Sequence, residues 1–129
     1  MIKDVKNIMY EKNMGFSLPE YFQIEVKEGK NYLKYIGNRY NASSQNPKII
    51  EISDDILLDF MYKLFSLTCD WKNEYVDERY TLDGTNWQLK LIYSNDYIKN
   101  YIGKNSFPYN FSSFEKIIYD ILNKVFGDK

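Results

Sequence analysis

Hydrophobic positions recur along this chain with two different periods. Residues 1–13 set Ile2, Val5, Ile8 and Met9 at three- and four-residue intervals with charges between them, which predicts a short amphipathic helix. Gly15 to Pro19 interrupt it. From Glu20 the period becomes two: Phe22, Ile24 and Val26 alternate with Gln23, Glu25 and Lys27, the pattern of a half-buried strand. Glu28-Gly29-Lys30-Asn31 predicts a turn, Tyr32 to Gly37 the return strand, and Lys48 to Ile52 a short third strand after a polar loop. Ser53 precedes Asp54 and Asp55 as a helix N-cap followed by acids that suit the positive end of the helix dipole. Ile56, Leu57, Phe60, Met61, Leu64 and Phe65 then form one apolar face.

The same signals return in the second half. Tyr75 to Leu82 reads as a strand and Asp83-Gly84 as a tight hairpin turn. Trp87, Leu89, Leu91 and Tyr93 alternate with Gln88, Lys90, Ile92 and Ser94, and Tyr97 to Gly103 pairs back after Asn95-Asp96. Ser112 or Ser113 is the expected cap of a last helix whose core face is Phe114, Ile117, Ile118, Ile121, Leu122 and Val125, with Gly127 as its stop. The expected fold is a single α+β domain over 1–129. It has a five- to six-stranded antiparallel sheet with helices packed on one face. Segments 20–67 and 86–127 read as one strand-strand-helix unit used twice: the hairpins match at a shift of 65–66 and the helices at 61.

Composition narrows the chemistry. The chain has 129 residues with no histidine and one cysteine, Cys69. Ser-His-Asp and Cys-His catalysis are excluded, as is any metal site that needs an imidazole. A lone cysteine makes no internal disulfide, which fits a reduced, cytoplasmic protein. The first residues lack the apolar run of a signal peptide, and nothing approaches a membrane-spanning stretch. Tyrosine is abundant, at 13 residues, partly because Asn, Lys, Ile and Tyr share A/T-rich codons.

Net charge is −1, without the basic surplus of a general nucleic-acid binder. The charge is unevenly placed: residues 51–83 hold nine acidic groups against three basic ones. Asp54, Asp55, Asp59, Glu74, Asp77 and Glu78 are therefore the candidate contact set for a basic protein partner. Asp55 and Asp59 lie one helical turn apart, but two carboxylates are too few oxygens for a cation. Glu74, Asp77 and Glu78 offer carboxylates for glycoside chemistry without a cleft to hold a sugar. No cofactor or metal is expected.

One stretch carries a resemblance. Asp83-Gly84-Thr85-Asn86-Trp87, followed by Gly103-Lys104-Asn105-Ser106-Phe107-Pro108-Tyr109-Asn110-Phe111, resembles a set of small bacterial α+β proteins without an assigned activity. These pair a DG-x-x-W hairpin with a G-x-N-x-x-P-x-N-F loop before the last helix. The resemblance covers the C-terminal third and implies a structural motif and no activity.

Two functions follow as expectations. The first is a small binding protein that works by occupying another protein, such as a basic toxin or nucleic-acid enzyme, in the manner of immunity proteins and phage inhibitors of host defence. It would use the acidic set and exposed aromatics. The second is a nucleic-acid or small-ligand module that uses a sheet face bearing Tyr21, Tyr32, Lys34, Lys90, Tyr97, Lys99 and Tyr101. An enzyme is the third reading and would have to work with carboxylates.

Overall fold

A computed structural model describes residues 4–15, 19–79 and 84–127. Among the described residues seven strands form one sheet: β1 (Val5–Met14), β2 (Glu20–Lys27), β3 (Lys30–Ile36), β4 (Lys48–Ile52), β5 (Glu74–Val76), β6 (Thr85–Tyr93) and β7 (Ile98–Lys104). Helix α1 (Asp54–Thr68) follows β4, and α2 (Phe111–Phe126) is the last element among the described residues. The strand order is β4-β3-β2-β1-β6-β7-β5, antiparallel throughout except for β5, which runs parallel to β7.

The first correction concerns β1. Where a helix is predicted over 1–13, residues 5–14 form a strand that occupies the middle of the sheet between the β2–β3 and β6–β7 hairpins. A bulge between Val5 and Asn7 shifts its phase, so the buried residues are Val5, Ile8 and Tyr10. A three-residue step followed by a two-residue step imitates a helical stripe over so short a window.

The second correction lies at the other end of the sheet. Of the predicted strand from Tyr75 to Leu82, only Tyr75 and Val76 are strand among the described residues, in β5 (Glu74–Val76). It pairs with β7 rather than forming a hairpin with β6. Tyr80 to Asp83 lie outside the described residues, and with them the first half of the expected Asp83-Gly84 turn. The β2–β3 turn is the tight one: Glu28 and Gly29 both have positive φ, at 55° and 79°, as a two-residue turn matched to strand twist requires.

Both helices pack on one face of the sheet. Phe60 of α1 lies against Phe22, and Phe114 of α2 meets the Tyr10 ring edge-on with centroids 5.0 Å apart. Ser53 caps α1 as expected, its hydroxyl accepting from the Ile56 N–H at 3.2 Å. The start of α2 differs. Asn110, not Ser112 or Ser113, holds the cap position, and its side chain makes no cap bond. The Asn110 amide oxygen accepts from the Trp71 indole at 2.7 Å, while its amide nitrogen donates to the Leu67 carbonyl at 2.8 Å, tying α2 to the end of α1.

Gly103 sits directly across from Trp87 on the covered face. The Trp87 indole lies on the Gly103 backbone and donates to the Ser106 carbonyl at 2.9 Å. A Cβ at Gly103 would overlap both the indole and that carbonyl oxygen. Trp87 in turn packs against Trp71, Tyr75 and Phe111. Each such aromatic pair adds ~0.5–1.5 kcal/mol beyond area burial. Gly103→Ala should therefore cost about 1–3 kcal/mol through overpacking, measured by denaturant unfolding. An unchanged midpoint would show that the indole does not need the glycine surface.

Candidate functional site

The pairing register decides which side chains the helices leave uncovered, because directly opposed residues share a face. One row across the uncovered face runs Glu51, Tyr32, Glu25, Asn7, Ile92, Ile98. The next runs Ile49, Lys34, Gln23, Met9, Lys90, Asn100. The third holds Ile36, Tyr21, Glu11, Gln88, Ile102 and Glu74. None of the residues in these three rows belongs to the buried core. Ile49 is 57% exposed and Ile98 51%. Amides bridge neighbouring strands: Gln23 donates to the Asn7 side chain at 3.1 Å and Gln88 to Asn100 at 2.8 Å. The Lys34 ammonium stands 6.0 Å from the Tyr21 ring centre. Burial, then the Glu11 and Glu25 carboxylates beside it, hold the Tyr21 hydroxyl above the usual tyrosine range.

Four of the seven residues expected on this face are there: Tyr21, Tyr32, Lys34 and Lys90. Three are not. Tyr101 is opposite Leu89 and Lys99 opposite Leu91, so both belong to the covered face, and Tyr101 is buried against Trp71. Tyr97 lies in the β6–β7 turn with its ring against Tyr93, exposed at the end of the sheet. The proposed Tyr/Lys platform was one residue out of phase on β7, which moves every side chain of that strand to the other face.

The acidic set is also divided. Asp54 and Asp55 stand in the first turn of α1, just after edge strand β4, and Asp59 faces the groove between α1 and α2. Glu74, Asp77 and Glu78 lie on and after β5, the opposite edge. Six strand spacings of ~4.8 Å separate those edges by about 29 Å, so these residues do not form one patch. Asp59 is ion-paired with Lys63 at 2.9 Å. The Asp77 carboxyl is held below its usual range chiefly by the Arg79 backbone N–H. No group of three or more potential metal-ligating side chains is gathered among the described residues.

Sequence reasoning missed a carboxylate-tyrosine cluster beneath α2. Glu20 accepts from the Tyr35 hydroxyl at 2.7 Å through one oxygen and from Tyr119 at 2.8 Å through the other. Glu115 accepts from Tyr10 at 3.0 Å and Lys12 at 2.7 Å. Arg39 stacks on Tyr119, 4.1 Å from the ring centre, beside a cleft of about 220 Å³. Both oxygens of Glu20 and one oxygen of Glu115 are committed to donors, so this arrangement clamps strands to helix rather than presenting a free base. Tyr10 and Lys12 fell within the predicted N-terminal helix, and no pattern in the sequence links them to residues about a hundred positions away.

No protein-family model, curated protein or solved structure matches the chain. The resemblance noted for the C-terminal third has a structural content here. Gly103 seats Trp87, Asn105 takes positive φ and accepts from Thr85 N–H, and Asn110 ties the two helices.

The buried tyrosines make stability depend on pH in a definite direction. Burial first, and then the Glu115 carboxylate, push the Tyr10 hydroxyl far above its usual value of 10.0, and Glu20 adds to burial at Tyr35 and Tyr119. A raised folded-state value means the folded state keeps protons that the unfolded chain releases above about pH 10. The contribution is complete below that pH and is lost as pH rises. The denaturation midpoint should fall above pH 10, and Tyr10→Phe should flatten that fall while lowering the midpoint at pH 7. Identical alkaline slopes for the two chains would contradict the assignment.

Proposed function

We propose that this chain is a binding protein that acts by occupying another protein, and that the uncovered face of the seven-stranded sheet is its contact surface. The observation that supports this reading is the one-sided covering of the sheet. Two helices bury one face, while the other carries Met9, Ile36, Ile49, Ile92, Ile98 and Ile102 among amides and tyrosines. With five residues per strand at about 3.3 Å each, the face spans about 29 by 17 Å, or ~500 Å². A stable interface needs ~800 Å² per partner, so the partner also reaches the rims.

Both rims are acidic. Glu51 lies on the uncovered face of β4, with Asp55 shortly after it, and Glu74 lies on the uncovered face of β5, followed by Asp77 and Glu78. A partner with basic groups flanking an apolar patch fits this layout, as a nuclease or other nucleic-acid enzyme would. Immunity proteins and inhibitors of host defence work in this way. The nucleic-acid reading has less support. Lys34 and Lys90 share the centre of the face with Glu11 and Glu25, so phosphates meet no basic surplus there.

Co-expression with the products of neighbouring genes, followed by co-purification, tests this. In a complex found this way, Ile98→Asp should weaken binding about tenfold or more, as the loss of a buried apolar anchor does. Glu51→Lys with Glu74→Lys should slow association, and the loss should shrink as salt is raised. Unchanged affinity in both variants would place the contact elsewhere.

A further inference from the structure

The covered side of the sheet is not closed at the end where the β2–β3 turn lies. Near its N-terminus α1 stands off the strands and leaves a cavity of about 330 Å³. Its walls are apolar: Val5, Ile8, Ile24 and Val26 from the strands, and Leu57 and Met61 from the helix. An apolar cavity of ~150 Å³ is enough to take a benzene ring, so this one has room for a chain of six or more carbons.

The lip is polar and its charges are unequal. Lys6 contributes its stem, but its ammonium is paired with Asp96 at 2.9 Å. Asn31 is 96% buried, since its exposure is 4%, and lines the cavity. Its amide nitrogen donates to the Ile52 carbonyl at 3.3 Å and to Asp54 at 2.8 Å. Asp54 therefore stands at the lip, held in place by a buried amide, with no cationic partner among the described residues. Asp54 is exposed in the first turn of α1, so its carboxylate is open to an ammonium on a ligand seated in the cavity.

We propose that this cavity is a small-molecule site for an apolar ligand carrying a primary ammonium, with the chain among Val5, Ile24, Leu57 and Met61 and the ammonium on Asp54. The site lies on the covered side, away from the sheet face assigned above to a protein partner, and stands or falls independently of that reading.

The probes are n-hexylamine, n-hexanol and hexanoate, titrated into the ¹⁵N-labelled full chain at pH 7. Hexylamine should shift the amides of the lining residues and bind at least about tenfold more tightly than hexanol, with hexanoate weakest; tenfold corresponds to about 1.4 kcal/mol. Asp54→Asn keeps an acceptor for Asn31 and should bring hexylamine down to the level of hexanol. Leu57→Trp should fill the cavity and abolish binding of all three. Should that variant fail to fold, Asp54→Asn still decides the matter. The proposal is overturned if hexylamine causes no localised shifts, if hexanol or hexanoate binds as well as hexylamine, or if Asp54→Asn leaves the preference intact.

Discussion

Everything in this molecule depends on β1 pairing on both sides. The β2–β3 hairpin and the β6–β7 hairpin make no ladder with each other; each is hydrogen-bonded to β1. That arrangement turns two small hairpins, each marginal alone, into one sheet wide enough to seat two helices side by side. It also puts Ile8 and Tyr10 at the centre of the covered face, where the Tyr10 ring meets Phe114 and Phe111. Its hydroxyl reaches Glu115, so the middle strand is fastened to the last helix by packing and by charge together.

The same pairing creates the surface we assign to binding. With β1 as the axis, the alternation of every strand is locked to its neighbours, and a set of strand isoleucines with Met9 emerges on the uncovered side. Ile92 and Ile98 face each other across β6 and β7, while Ile49 stands on the outer strand. Amide pairs such as Gln23 with Asn7 hold the centre in register without closing it to a partner. The apolar cavity under the start of α1 is lined on the strand side by Val5, Ile8, Ile24 and Val26, next to the bulge after Val5 and the turn at Gly29.

Much of this was legible in the residues. The α+β class, the one-sided helices, the Ser53 cap and the β2–β3 turn follow from local chemistry and periodicity. Phe22, Ile24, Trp87, Leu89 and Leu91 are buried as their alternation requires. What could not be read depends on pairing. The bulge in β1 disguised a strand as a helix. The phase of β7 is fixed by Leu89 lying opposite Tyr101, which local sequence does not encode, and so Lys99 and Tyr101 were placed on the wrong face. The acidic residues are close in sequence but fall on opposite edges, because α1 carries the chain from one side of the sheet to the other. The clamp of Glu20, Tyr35 and Tyr119 joins residues 99 positions apart and leaves no local signal.

The central claim is that the uncovered sheet face is where a protein partner sits. Methyl cross-saturation in the complex with that partner measures this directly, because it reports which side chains touch the partner without altering any of them. The account predicts transfer to the methyl groups of Met9, Ile49, Ile92, Ile98 and Ile102, and none to Leu58 or Ile117 on the helices. Transfer confined to the helix methyls, with the sheet isoleucines silent, would contradict it.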